Sequence, residues 1–237
     1  MMYDLKIILF FLFFTFLSYG QDKKDLYSWF DKEVGVHSSS IFEGETYKKK
    51  HIPVKNSHPF YKNNQFYKGD IVYDGESFFD LDLKYDLHDQ EIIVRLKDKN
   101  GTHLPIKIFK DKIQYLTIDG AKFINFKKGN SKENDNFLGL YEIIYDSKRV
   151  KLLVGHNKSI SERLDRGKMF AKYVNDEEKY FIFYKGKYNE VKSKRDLRRI
   201  FPEKEKVVEK YYATYKKLRK DNKSLFWVKL IEALDQN

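Results

Sequence analysis

The chain has 237 residues and no cysteine, and its 46 Lys and Arg against 35 Asp and Glu give a formal charge of +11. That length allows one or two domains with a real core, and 41% hydrophobic residues with 18 Tyr and 20 Phe exclude a disordered chain. The lack of cysteine excludes a disulfide scaffold, thiolate zinc sites, iron–sulfur clusters and a cysteine nucleophile.

Lys6 precedes an apolar run over residues 7–17, and Ser18 and Gly20 place small side chains at the −3 and −1 positions for cleavage before Gln21. The run falls short of the roughly 20 residues that span a bilayer core. Residues 1–20 therefore read as a signal peptide, with an uncleaved N-terminal anchor as the alternative because Asp4 offsets Lys6. The mature chain is expected outside the cytoplasm, periplasmic or secreted.

Residues 21–64 form a mostly irregular leading segment, with one or two helical turns at 25–30 and a Lys-rich stretch running to His58-Pro59. Periodicity begins at Gln65. Between Glu76 and Leu87, Phe79, Leu81, Leu83, Tyr85 and Leu87 alternate with Asp80, Asp82, Lys84 and Asp86, the pattern of a strand with one wet face. Such alternation predicts strands at 66–73, 76–87, 91–97, 104–109, 112–118, 121–126, 138–146, 149–155, 179–184 and 187–191. Asp74-Gly75, Asn100-Gly101, Asp119-Gly120 and Lys185-Gly186 supply turn residues between them. Short connections favour hairpins, so residues 65–191 read as an antiparallel meander, barrel-like or a sandwich.

After Val191 the period changes. Ser193 with Asp196 three residues on resembles a capping box, and Pro202 suits the first turn of a second helix carrying Val208, Tyr211, Tyr212, Tyr215 and Leu218. Ser224 is the expected cap of a third helix, with Leu225, Val228, Ile231 and Leu234 on one side. The class is α+β, with a helical tail over 192–237. Residues from Lys185 to Lys229 include 16 basic and 6 acidic side chains, so nearly all the excess charge lies there.

Two blocks, residues 66–86 (FYKGDIVYDG with FDLDLKYD) and residues 180–204 (YFIFYKGKY, KSKRDL and IFPEK), resemble exported β-rich proteins of Bacteroidetes. The resemblance implies a secreted location and a β body followed by helices. It implies no activity.

Chemistry is sought in the residues themselves. Asp74, Glu76, Asp80, Asp82, Asp86, Asp89 and Glu91 crowd one hairpin, a set of oxygen ligands that suits calcium, yet Lys84 interrupts the row and no calcium-loop spacing occurs. A solvated strand face is the simpler reading. The histidines His37, His51, His58, His88, His103 and His156 stand singly, without the spacing of a zinc motif, and read as surface or turn residues. No G-x-S-x-G and no glycine-rich phosphate loop is present, so no cofactor is implied. The basic tail, through Arg195, Arg198, Arg199, Lys216, Lys217 and Lys220, is a candidate surface for anions, either a membrane or a polysaccharide; nucleic acid is disfavoured by export.

These features favour a non-enzymatic binding or envelope structural protein, with a protein or glycan ligand. The alternatives are a periplasmic hydrolase using two carboxylates and a peripheral binder of anionic surfaces. Mass spectrometry of the exported protein is expected to find a chain that starts at Gln21. A mature chain retaining Met1 and sedimenting with membranes would contradict the signal peptide.

Overall fold

A computed structural model describes residues 40–97, 100–126 and 138–236. The expected signal peptide, its cleavage site and the turns at 25–30 lie outside the described residues.

The strands, in chain order, are β1 (Glu45–Thr46), β2 (Ile52–Pro53), β3 (Tyr67–Tyr73), β4 (Glu76–Asp86), β5 (Glu91–Lys97), β6 (His103–Ile108) and β7 (Ile113–Ile118). They continue with β8 (Ala121–Phe126), β9 (Gly139–Asp146), β10 (Val150–Gly155), β11 (Lys158–Asp165), β12 (Lys168–Asn175), β13 (Lys179–Tyr184) and β14 (Lys187–Val191). Eleven form one antiparallel sheet in the order β1-β6-β5-β4-β3-β7-β8-β9-β10-β13-β14, and β11, β12 and β2 form a smaller sheet. The expected antiparallel meander is present, and among the described residues β1 and β14 remain unjoined, so of the two alternatives it does not close into a barrel. It nevertheless curls. Tyr85 of β4 meets Phe123 of β8 with ring centroids 5.7 Å apart, whereas flat strands three steps apart would lie roughly 14 Å from each other.

The turns explain the register. Asp74-Gly75, Asp119-Gly120 and Lys185-Gly186 all hold both residues at positive φ, the conformation that lets a two-residue loop match the strand twist. Arg166-Gly167 does the same between β11 and β12, a hairpin that sequence reading missed. There the alternation is diluted, because Glu162, Arg163, Leu164 and Asp165 are all exposed and no buried face marks the strand.

Alternation in β4 breaks at one place. Gly69 pairs with Leu81 but Ile71 pairs with Phe78, so β4 bulges, and Asp80 takes φ 53° with its N–H held by Asp70 Oδ1 at 2.9 Å. The extra residue exchanges the faces. Phe78 is buried before the bulge and Leu83 and Tyr85 after it, while Phe79 and Leu81, both expected in the core, are only half-buried. Asp86, expected in water, is 2% exposed. Ile92, Val94 and Leu96 of β5 and Leu152 and Val154 of β10 are buried as well.

The tail contains α1 (Lys194–Ile200), α2 (Glu205–Thr214), α3 (Lys216–Asp221) and α4 (Lys223–Gln236). Ser193 and Asp196 close the expected capping box. The second helix is shorter than its apolar stripe suggested, breaking at Tyr215, which is exposed. Asn222, rather than Ser224, caps α4 by accepting from Leu225 N at 2.9 Å. Phe226 and Trp227 then face inward and Leu225 outward. Val208, Phe226, Leu230, Ile231 and Leu234 pack with Val150, Leu152, Tyr180 and Ile182 into a second core between helices and sheet.

Gly69 marks the tightest contact in the first core, since a Cβ there would lie 1.9 Å from the carbonyl oxygen of Thr117. Gly69→Ala must push β3 from β7, at an expected cost of about 1–3 kcal/mol or more. Leu83→Ala, which removes a fully buried side chain, should cost about 2–5 kcal/mol. Denaturant melts measure both, and a near-neutral Gly69→Ala would contradict the β3–β7 pairing.

Candidate functional site

The acidic hairpin comes first, because its carboxylates were a calcium candidate. The structure disperses them among cations: Asp74 pairs with Lys112 at 3.1 Å, Asp89 with Lys50 at 3.0 Å, Glu91 with Lys107 at 3.1 Å, and Asp82 with Arg95 at 2.8 Å. Asp80 lies 3.5 Å from Lys68. Among the described residues no three His, Asp or Glu side chains gather around one point fit for a metal ion.

Asp86 takes a different part. Its Oδ1 accepts from the N–H groups of His88 at 2.9 Å and Asp89 at 3.0 Å, which shapes the turn out of β4. Burial pushes its carboxyl above the usual range. Close to this turn, Lys158 at the start of β11 is also buried and donates from Nζ to the carbonyls of His58 and Phe60, both at 2.9 Å. Burial holds its ammonium below the ordinary lysine value, with the Asp86 charge opposing. Lys158 thus ties the leading segment to the end of β4, where its own N–H reaches Leu87 O and its carbonyl meets His88 Nδ1.

That tie leaves a cleft of about 590 Å³ between the leading segment and the two sheets. One wall is the segment from Asn56 to Lys62, another the β10–β11 connection His156-Asn157-Lys158, and a third Tyr173 and Asn175 of β12 with Asp176 and Glu178 beyond it. Ser57 clamps the first wall to β12, accepting from Tyr173 N at 2.6 Å and donating to Tyr173 O at 3.3 Å.

At one end of the cleft an imidazole lies between two carboxylates. His156 Nε2 is 2.7 Å from Glu142 Oε2, and Nδ1 is 3.5 Å from Glu178 Oε1. Tyr61 donates to Glu142 at 3.0 Å, and burial, reinforced by the Glu142 charge, pushes its phenol well up. Glu178 accepts from Ser224 of α4 at 2.9 Å and from Tyr180. The two carboxylates hold opposite ring nitrogens, so the three side chains cannot converge on one ion.

The cleft therefore rests on His58, His156, Glu142, Glu178, Tyr61 and Lys158, none of which stands in a recognisable spacing. Their partners lie 81 and 100 positions apart in the cases of Tyr61–Glu142 and Lys158–His58. The local hint was modest: His156-Asn157 follows directly on the apolar residues that end β10.

The basic tail is more neutralised than its sequence suggests. Arg198 pairs with Glu205 at 3.1 Å and Glu209 at 3.6 Å, and Arg199 with Asp196 at 3.4 Å. Arg195, Lys216, Lys217 and Lys220 are exposed. Of the six candidate residues, Lys216 lines a groove.

Asp86 yields a pH-dependent prediction. A carboxyl whose folded pKa is raised contributes stability below the ordinary carboxylate range and loses it as pH rises through the folded value. Asp86→Asn keeps an acceptor for both N–H groups and removes the charge, so it should equal or exceed the wild type in stability at pH 7 and lose that margin below about pH 3. Asp86→Ala strands the two donors and should cost about 1–3 kcal/mol. Melts across pH measure all three proteins, and an Asn variant as unstable at pH 7 as the Ala variant would contradict a burial penalty on the Asp86 charge.

No protein-family model matches the chain, no curated protein matches its sequence, and no solved structure matches its fold.

Proposed function

We propose that the mature chain is an exported binding protein that holds a neutral, hydroxyl-rich ligand, a saccharide, in the cleft between the leading segment and the two sheets. One observation carries this reading: the cleft lining is polar and pre-arranged. Its volume lies within the roughly 300–1,000 Å³ of small-molecule sites, but most such sites are chiefly apolar. Here Asn56, Asn175 and the His58 ring present donors and acceptors, Asn157 being held by Asp176 and Gln90 and His156 by its two carboxylates, while Tyr61 and Tyr173 add ring surface beside them. Lys62 and Lys158 are matched by Asp176 and Glu178, so a charged ligand gains no advantage from the lining.

The commitments of the reactive groups favour binding over carboxylate-based hydrolysis. Glu142 is held by Tyr61 and His156, and Ser57 is spent on the β12 backbone. A hydroxyl nucleophile within reach of a base is the arrangement that acyl transfer requires, and Ser57 is bonded to backbone instead.

Titration calorimetry with neutral disaccharides, including cellobiose, chitobiose and maltose, tests the proposal. At least one is expected to bind and to raise the melting temperature, as any ligand selective for the folded state must. Asn175→Ala should weaken that binding about 3- to 10-fold, the worth of one hydrogen bond. Absence of binding across the series, or binding unchanged in that variant, would overturn it.

A further inference from the structure

A second concave site lies in the helical tail. Between α1, α2, α3 and α4 runs a groove of about 660 Å³ whose rim carries Lys192, Lys194, Lys216, Arg219 and Lys223 against one carboxylate, Glu209. Glu209 is bound to Lys194 at 2.7 Å and shared with Arg198. Lys192 and Lys223 are met by Glu190 at 3.1 Å and Glu177 at 2.5 Å. Lys216 has no ion pair among the described residues, and the Arg219 guanidinium stands 5.0 Å over the ring of Tyr212, a wall of the same groove.

An independent feature lies in the same wall. Trp227 is 2% exposed, and its indole Nε1 is buried with no acceptor among the described residues. Buried donors are nearly always satisfied, and each exception needs a reason. Lys192 before α1, with Lys194, Lys216, Arg219 and Lys223 of the helices, brings five cations and an unmet N–H around one concavity.

We infer that this groove binds a compact oxyanion, a phosphate or sulfate ester group, with Lys216 and Arg219 as its principal cationic contacts and Trp227 Nε1 gaining an acceptor. The charge excess attracts a small anion from a distance. Guanidinium geometry suits the paired oxygens of such a group. A flat anionic surface matches less well, because the cations border a hollow and Arg198 and Arg199 are already neutralised by Glu205, Glu209 and Asp196. The site is separate from the saccharide cleft and does not depend on it.

Trp29 and Trp227 are the two tryptophans, so two indole N–H resonances report on the chain; Trp29→Phe assigns them. Titration with inorganic pyrophosphate, glucose 6-phosphate and glucose 6-sulfate is expected to move the Trp227 indole signal saturably, beyond any change caused by sodium chloride at matched ionic strength. The two sugar esters distinguish a phosphate source from a sulfate source. Lys216→Glu and Arg219→Glu, both at exposed positions, should keep the fold and weaken the response at least 10-fold. A response equal to that of chloride, or one unchanged in both variants, overturns the site. So does movement of the signal by phosphatidylglycerol vesicles when the soluble esters move nothing, since that result assigns the cations to a membrane surface.

Discussion

A single buried cation holds together the parts of this molecule that sequence order keeps apart. Lys158 stands 100 positions from His58 and 98 from Phe60, yet its ammonium takes both of their carbonyls as partners. Burying a lysine is costly unless its charge is met by strong acceptors. Two carbonyls at 2.9 Å and the nearby charge of Asp86 meet it. The consequence is positional: the leading segment cannot leave the end of β4 without exposing an unpaired charge to apolar surroundings. The cleft exists because that segment is held there.

The sheet was legible because its signals are local. Alternation of apolar residues and paired turn residues with positive φ act over a few positions, and ten strands follow from them within a residue or two. Reading failed where a local signal was broken or diluted. At Asp80 a bulge exchanged the faces of β4, so Phe78 took the buried position assigned to Phe79. In β11 and β12 exposure on both sides removed the alternation, leaving only the Arg166-Gly167 turn as a sign. In α4 the expected cap was Ser224, but Asn222, two residues earlier, accepts the N–H of Leu225 and takes that part.

The candidate sites were illegible for the opposite reason. Their residues come from elements joined only by folding, and a histidine that stands alone in sequence gives no sign of the carboxylates that will reach it. His156 meets Glu142 across the β9–β10 pair and Glu178 beyond β12. Charge counting was misleading in a similar way. A tail with strong positive excess has Arg198, Arg199 and Lys194 held by its own acids, so the net charge located the basic region and left open where the uncommitted cations lie.

Glu178 shows why the tail is more than an attachment to the β body. One of its oxygens takes Ser224 Oγ of α4 and the other faces His156, which in turn holds Glu142 and, through it, Tyr61 of the leading segment. The network therefore runs from the last helix, through the end of β10, to the wall of the cleft. Every member is partly buried, so removing one leaves its neighbours with polar atoms that water reaches only incompletely, and the cost of such atoms is what keeps networks of this kind intact. The second core supplies the support beneath it, since Trp227 packs 5.6 Å from Tyr180 and fixes the helix that carries Ser224. Apolar packing positions α4, α4 positions Ser224, and Ser224 helps hold the carboxylate that borders the cleft; the shape of the cleft wall is thus set in part by a helix that does not line it.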